Sequence, residues 1–96
     1  MYNNFFYLLR ATHDGKYLAA NIEDLDLGNQ TFLLVFKEDY DALGYLNHHT
    51  PEYSHKFTVE SVSSPQLKSL LPRWGFSGIA IVEDILLPKI KFSTID

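Results

Sequence analysis

A chain of 96 residues with 46% hydrophobic and 21% charged side chains has enough apolar surface to offset the entropy of ordering it; this excludes an intrinsically disordered chain and predicts one domain over residues 1–96. The net charge of −4 opposes binding to nucleic-acid phosphates, and no cysteine is present to supply a disulfide, a thiolate metal ligand or a sulfur nucleophile. The longest apolar runs fall short of a membrane span, Asn3, Asn4 and Arg10 do not fit a signal peptide, and the lack of cysteine points to a cytoplasmic protein.

Residues 4–12 carry the run Phe5-Phe6-Tyr7-Leu8-Leu9. Side chains alternate along a strand, so Phe5, Tyr7 and Leu9 share one side and Phe6 and Leu8 the other. Both sides are apolar, which predicts an interior strand. His13-Asp14-Gly15-Lys16 contains the Asp-Gly pair of a tight hairpin, with residues 17–22 as the returning strand. The acidic stretch 23–29 ends in Gly28-Asn29 and is expected as a loop. Residues 31–36 (Thr-Phe-Leu-Leu-Val-Phe) make the strongest strand signal in the chain.

Glu38 and Asp39 suit the positive end of a helix, which places Asp39, Ala42, Leu43 and Leu46 on an inward stripe. His48 and His49 fall in its last turn and Thr50-Pro51 stops it. Residues 57–62 alternate as a half-buried strand near a sheet edge. A second helix opens at Ser63-Ser64-Pro65-Gln66, either by a serine cap with Pro65 at the first helical position or by a Ser63–Gln66 capping box. Leu67, Leu70, Leu71 and Trp74 share one face, Gly75 suits the C-terminal end, and Pro72 predicts a helix kinked or ended there. Residues 78–83 form another apolar strand, Glu83-Asp84 is an expected turn and Ile85–Leu87 a hairpin extension. Pro88 interrupts, and Ile90 and Phe92 mark a last edge strand between lysines.

The order β-β-β-α-β-α-β, with a further β at the end, predicts an α+β fold (an α/β sandwich). It has a mixed sheet of five to six strands and two helices packed on at least one face. A ferredoxin-like arrangement is the rival. Residues 34–43, Leu-Val-Phe-Lys-Glu-Asp-Tyr-Asp-Ala-Leu, resemble a passage of a small uncharacterised family of cyanobacterial and plastid proteins. Phe57-Thr-Val-Glu-Ser-Val, Ser64-Pro65, Gly75-Phe76 and Ile79–Glu83 are similar to that family's second half. The order of elements also resembles SseB-like domains. The resemblance covers about two-thirds of the chain and departs from the pattern at Pro88–Asp96. It implies the fold and a bacterial, cyanobacterial adaptor, and transfers no catalytic residue.

Four histidine-segment residues, His48, His49, Glu52 and His55, are the metal-ligand candidates. Pro51 interrupts them and His48 and His49 point apart, so a polar helix end explains them better. His13-Asp14 fits a turn tip rather than a base and its orienting carboxylate. The acidic groups at Glu23/Asp24/Asp26, Glu38/Asp39/Asp41 and Glu83/Asp84 fit helix capping and solvation rather than acid–base chemistry. No catalytic constellation and no cofactor motif emerges, although His55 with Glu60 would be one way to build an enzyme pocket. Aromatic residues, 15% of the chain, are the informative feature. Tyr40, Tyr45, Tyr53 and Trp74 are the ones not assigned to the core: Tyr40 and Tyr45 lie off the expected α1 stripe and Trp74 sits beside Arg73 at a helix end, and such residues dominate interface energetics. The expectation is a non-enzymatic protein-interaction domain, a regulatory or assembly adaptor with a protein partner or a second copy of itself. An exposed strand at 57–62 or 89–95 would pair with a partner strand. The alternatives are a small-ligand or metal-binding sensor built on His48–His55, and a phage-type inhibitor.

Overall fold

A computed structural model describes residues 5–26, 28–84 and 89–94. Among these, six strands and two α-helices follow in the order β1 (Phe5–Ala11), β2 (Ala19–Asp24), β3 (Gly28–Phe36), α1 (Asp39–His49), β4 (Phe57–Ser63), α2 (Ser64–Arg73), β5 (Gly78–Asp84) and β6 (Lys89–Thr94). A 3-10 turn over Pro51–Lys56 links α1 to β4. The sheet is mixed and open, in the order β4-β1-β3-β5-β6, with β2 pairing β3 off this path. β3 and β5 are parallel and the remaining pairs antiparallel. This is the expected α+β fold.

From β3 the chain crosses through α1 to β4 at one edge, then returns through α2 to β5 beyond β3. Reversing the direction of travel while keeping one hand of crossover puts the two helices on opposite faces of the sheet. Two cores result. Ala42 and Leu46 of α1 pack with Leu9, Phe32, Leu34, Phe36, Ala80 and Val82. Leu67 and Leu71 of α2 pack with Leu8, Leu33, Val35 and Val62. The alternation of Leu8 and Leu9 along β1 feeds both cores, which is why that strand is apolar on both sides. The ferredoxin-like rival, with both helices on one face, does not form.

β1 is interior, between β4 and β3. The Asp-Gly turn forms, but the returning strand does not run along β1. Arg10 and Tyr17 make an isolated bridge. Leu18 then stands between two strands: its N–H donates to the Leu9 carbonyl at 2.8 Å and its carbonyl accepts from the Leu34 N–H at 3.2 Å. β2 thus enters as a wedge where β1 leaves β3 and continues along β3 alone. The loop expected over 23–29 is correspondingly shorter. Glu23 and Asp24 pair with Asn29 and Gly28, and the chain turns at Leu25-Asp26. Gly28 re-enters β3 at φ +78°, a conformation that costs glycine nothing.

Two further expectations change. Leu43 is 50% exposed and off the inward stripe, while Tyr45 packs against the α1-side core. Ala42, Tyr45 and Leu46 face the sheet because they lie within one narrow arc of the helix. Glu83 and Asp84 complete β5 instead of turning the chain, since they still lie beside the antiparallel β6. The hairpin extension expected at Ile85–Leu87 and the break at Pro88 lie outside the described residues.

α2 starts by the capping-box alternative: the Ser63 hydroxyl accepts from the Gln66 N–H at 3.3 Å, and the Gln66 side chain accepts from the Ser63 N–H at 2.8 Å. It ends at Arg73, one residue beyond Pro72. Gly75, at φ +75°, then lets the Phe76 N–H reach the Leu71 carbonyl at 2.9 Å and its own N–H reach the Pro72 carbonyl at 3.2 Å. This Schellman closure satisfies the last carbonyls of the helix and packs Phe76 on the α2-side core. No described helix is long and apolar enough to cross a membrane.

Candidate functional site

The capped end of α2 sits beside the first hairpin. The bridge between Arg10 and Tyr17 holds both on the α2 face of the sheet, and Glu60 reaches the same face from β4, where it lies opposite Leu8. The Arg10 Nε donates to the Gly15 carbonyl at 2.8 Å and its Nη1 to Glu60 Oε1 at 3.3 Å. The Tyr17 hydroxyl donates to the other oxygen, Glu60 Oε2. The guanidinium lies 4.9 Å from the Tyr17 ring centre and 5.8 Å from that of Trp74, and the two rings meet edge to face at 5.0 Å. Cation–π and aromatic contacts of this geometry hold Trp74, 41% exposed, in a defined orientation.

Burial, the hydrogen bond to Glu60 and the charge of that carboxylate push the Tyr17 phenol up to about 12, against the opposing pull of Arg10. Tyr17 is therefore a neutral hydrogen-bond donor at ordinary pH, and both oxygens of Glu60 are engaged. This arrangement suits positioning and recognition more than proton transfer.

An open groove of about 640 Å³ runs from this cluster along α2, with Glu60, Ser61 and Val62 of β4 on one side and Gln66, Ser69 and Arg73 of α2 on the other. A second open groove, about 660 Å³, lies across the Tyr17–Trp74 pair, toward Phe57 and Phe76. Both arginines and the single tryptophan of the chain converge on the first groove. No protein-family model, curated protein or solved structure matches the chain. The chemistry of the groove is thus the guide to its function.

Of the five aromatic and arginine residues singled out by sequence, the four whose side chains are described do not form one patch. Arg73 and Trp74 line the α2-side groove. Tyr40, 66% exposed, lies in the first turn of α1, and Tyr45 is half-buried with its ring 5.4 Å from Phe36 and 4.4 Å from His49. The Glu38 carboxylate beside the Tyr40 phenol raises its pKa. Tyr53 falls in the 3-10 turn and its side chain lies outside the described residues. Sequence reasoning missed Arg10 and Tyr17 as site residues and named Glu60 only as a partner of His55, which does not line this groove. The available signal was the Asp-Gly turn, which sets Arg10 opposite Tyr17 as a cross-strand pair.

The metal candidates do not gather into one group of three among the described residues. The rings of His48 and His49 meet edge to face at 4.9 Å and His49 stacks on Tyr45. Among the described residues no three histidine, aspartate or glutamate side chains converge, so His48, His49, Glu52 and His55 do not assemble a ligand set. His13 contacts Asp14 at 3.5 Å at an exposed turn tip, where Asp14 Oδ1 accepts from the Lys16 N–H at 2.9 Å. That is an Asx turn closing the hairpin.

Proposed function

We propose that this chain is a non-enzymatic protein-interaction domain, an adaptor of the cytoplasm, which holds its partner in the groove of Arg10, Tyr17, Arg73 and Trp74. One observation carries the reading: both arginines and the only tryptophan of the chain meet on one groove, braced by a tyrosine. Tryptophan, tyrosine and arginine are the side chains that concentrate binding energy at protein interfaces. They combine large contact area with few rotors and, in arginine, a planar donor set. Here the Arg10–Glu60–Tyr17 contacts fix the shape of the groove before a partner arrives, which lowers the ordering cost of association. The net charge of −4 favours a protein partner over nucleic acid.

The test is affinity purification with quantitative mass spectrometry, comparing the wild-type chain with Arg73→Ala/Trp74→Ala and with Tyr40→Ala on the other side of the sheet. Proteins retained by the wild type and by Tyr40→Ala, but lost from the double variant with unchanged circular dichroism, are the expected outcome. An identical set of retained proteins for all three chains refutes the assignment of the groove.

A further inference from the structure

We propose that the groove takes an extended acidic segment of another protein, added as a new strand to the outer edge of β4, with a carboxylate carried to Arg73. This rests on the interaction reading above and names its occupant. The first support is the polarity of the β4 edge. β4 pairs with β1 residue for residue from Phe57–Ala11 to Ser63–Phe5, and it is the end strand of the sheet. The Thr12 N–H donates to the Lys56 carbonyl at 2.9 Å, while the main chains of Leu9 and Ala11 bond toward the hairpin, at Leu18 and Lys16. Backbone groups alternate in direction along an antiparallel pair. Thr58, Glu60 and Val62 therefore turn their N–H and carbonyl groups to β1, and Val59 and Ser61 turn theirs outward. An incoming strand finds a ready ladder at those two residues, the basis of strand addition to a sheet edge.

The second support is shape. Gln66, Ser69 and Arg73 follow one another along the side of α2 that borders this edge. From Gln66 to Arg73 the helix rises about 10 Å, the length of about three residues of extended chain. Helix and strand edge together frame a slot for a short strand.

The third is charge. The groove carries Arg10 and Arg73 against one carboxylate, Glu60, in a chain whose net charge is −4. Glu60 is already matched to Arg10 and Tyr17, whereas Arg73 makes no ion pair among the described residues. A carboxylate of the incoming segment completes Arg73 as a charge-assisted pair at the end of the slot. A second copy of this chain fits less well. Pairing Val59 with Ser61 of another molecule sets two Glu60 side chains opposite each other, and like charges facing across strands are destabilising.

The experiment selects a random-peptide phage library on the whole chain, then maps the selected peptide by amide NMR. Expected are peptides of alternating apolar residues with Asp or Glu at one fixed position, which shift the Val59 and Ser61 amides. Arg73→Ala should weaken them by about tenfold, and Arg73→Glu should select lysine or arginine at that position. A peptide N-methylated at its ladder positions should not bind, a control that leaves the protein untouched. No enrichment, enriched peptides without an acidic residue, or binding that leaves the Val59 and Ser61 amides unmoved overturns the proposal. So does a dimer in sedimentation that protects those amides. If partner capture still depends on Trp74 while acidic peptides fail, the strand addition falls and the interaction reading stands; if both fail, the groove itself is wrongly assigned.

Discussion

Replacing Glu60 by glutamine removes one charge from the centre of the groove and keeps an acceptor of the same shape. At 3.3 Å the Arg10–Glu60 attraction is about 1.3 kcal/mol at the dielectric of water. The two side chains are 39% and 36% exposed, so the pair belongs with solvent-screened ion pairs, worth about 0.2–1 kcal/mol. The Tyr17 hydroxyl loses a charged acceptor and keeps a neutral one, which costs about 0.5–1 kcal/mol more. Glu60→Gln should therefore destabilise the fold by about 1–2 kcal/mol, or roughly 5–10 °C in melting temperature. Its spectroscopic effect is more specific. Burial is the largest cause of the raised Tyr17 pKa and Glu60 supplies the rest, so the variant lowers that pKa from about 12 but leaves it above 10.0. A phenol with a folded pKa above its unfolded one stabilises the fold fully below the unfolded value and loses that contribution as pH rises through the folded one. In the wild type this loss spans pH 10 to about 12; in Glu60→Gln it finishes earlier. Alkaline absorbance titration of each protein, minus its Tyr17→Phe counterpart, isolates the phenolate. If Tyr17 ionises at the same pH with and without the carboxylate, the Glu60 hydrogen bond does not organise this cluster.

Other parts of the fold answer to simpler measurements. Leu46→Ala, beneath α1, should cost about 2–5 kcal/mol in urea unfolding, whereas Leu43→Ala on the exposed side should stay within about 0.5 kcal/mol; equal effects would mean that α1 is rotated from the orientation described. Ser63→Ala removes the acceptor of the Gln66 N–H and should lower stability by about 1 kcal/mol in the same assay. Gly75→Ala meets no atom within 4 Å, so its expected cost, about 1 kcal/mol by thermal melting, is conformational strain at φ +75° alone.

The two strongest strands and both helices were legible because their signals are local. Phe5–Leu9 and Thr31–Phe36 are apolar on both sides, and Ser63-Ser64-Pro65-Gln66 and Gly75 mark the ends of α2. The rotation of α1 was not legible: Leu43 and Tyr45 are both plausible core residues until the sheet beneath Ala42 chooses between them. The wedge at Leu18 was hidden for a similar reason, since an Asp-Gly turn predicts a return strand but not that β3 will capture it. The site divided along the same line. Trp74 and Arg73 announced themselves as unusual residues, while Glu60, 50 residues from Arg10, joins the Arg10–Tyr17 pair only through the pairing of β1 with β4.

That pairing has a consequence for how the protein is made. Of the six described strands the earliest in the chain is a central one, and its flanking partner on one side, residues 57–63, is translated several seconds later at about 5–20 residues per second. Until then β1 has partners on one edge alone, and Phe6 and Leu8 lack the cover that Val62 of β4 and Leu67 and Leu71 of α2 later give them. Nascent chains halted before residue 57 should thus be held by chaperones or aggregate, and synthesis of β4 and α2, rather than of β1 to β3, is the step at which the sheet closes on that side and the groove comes into being.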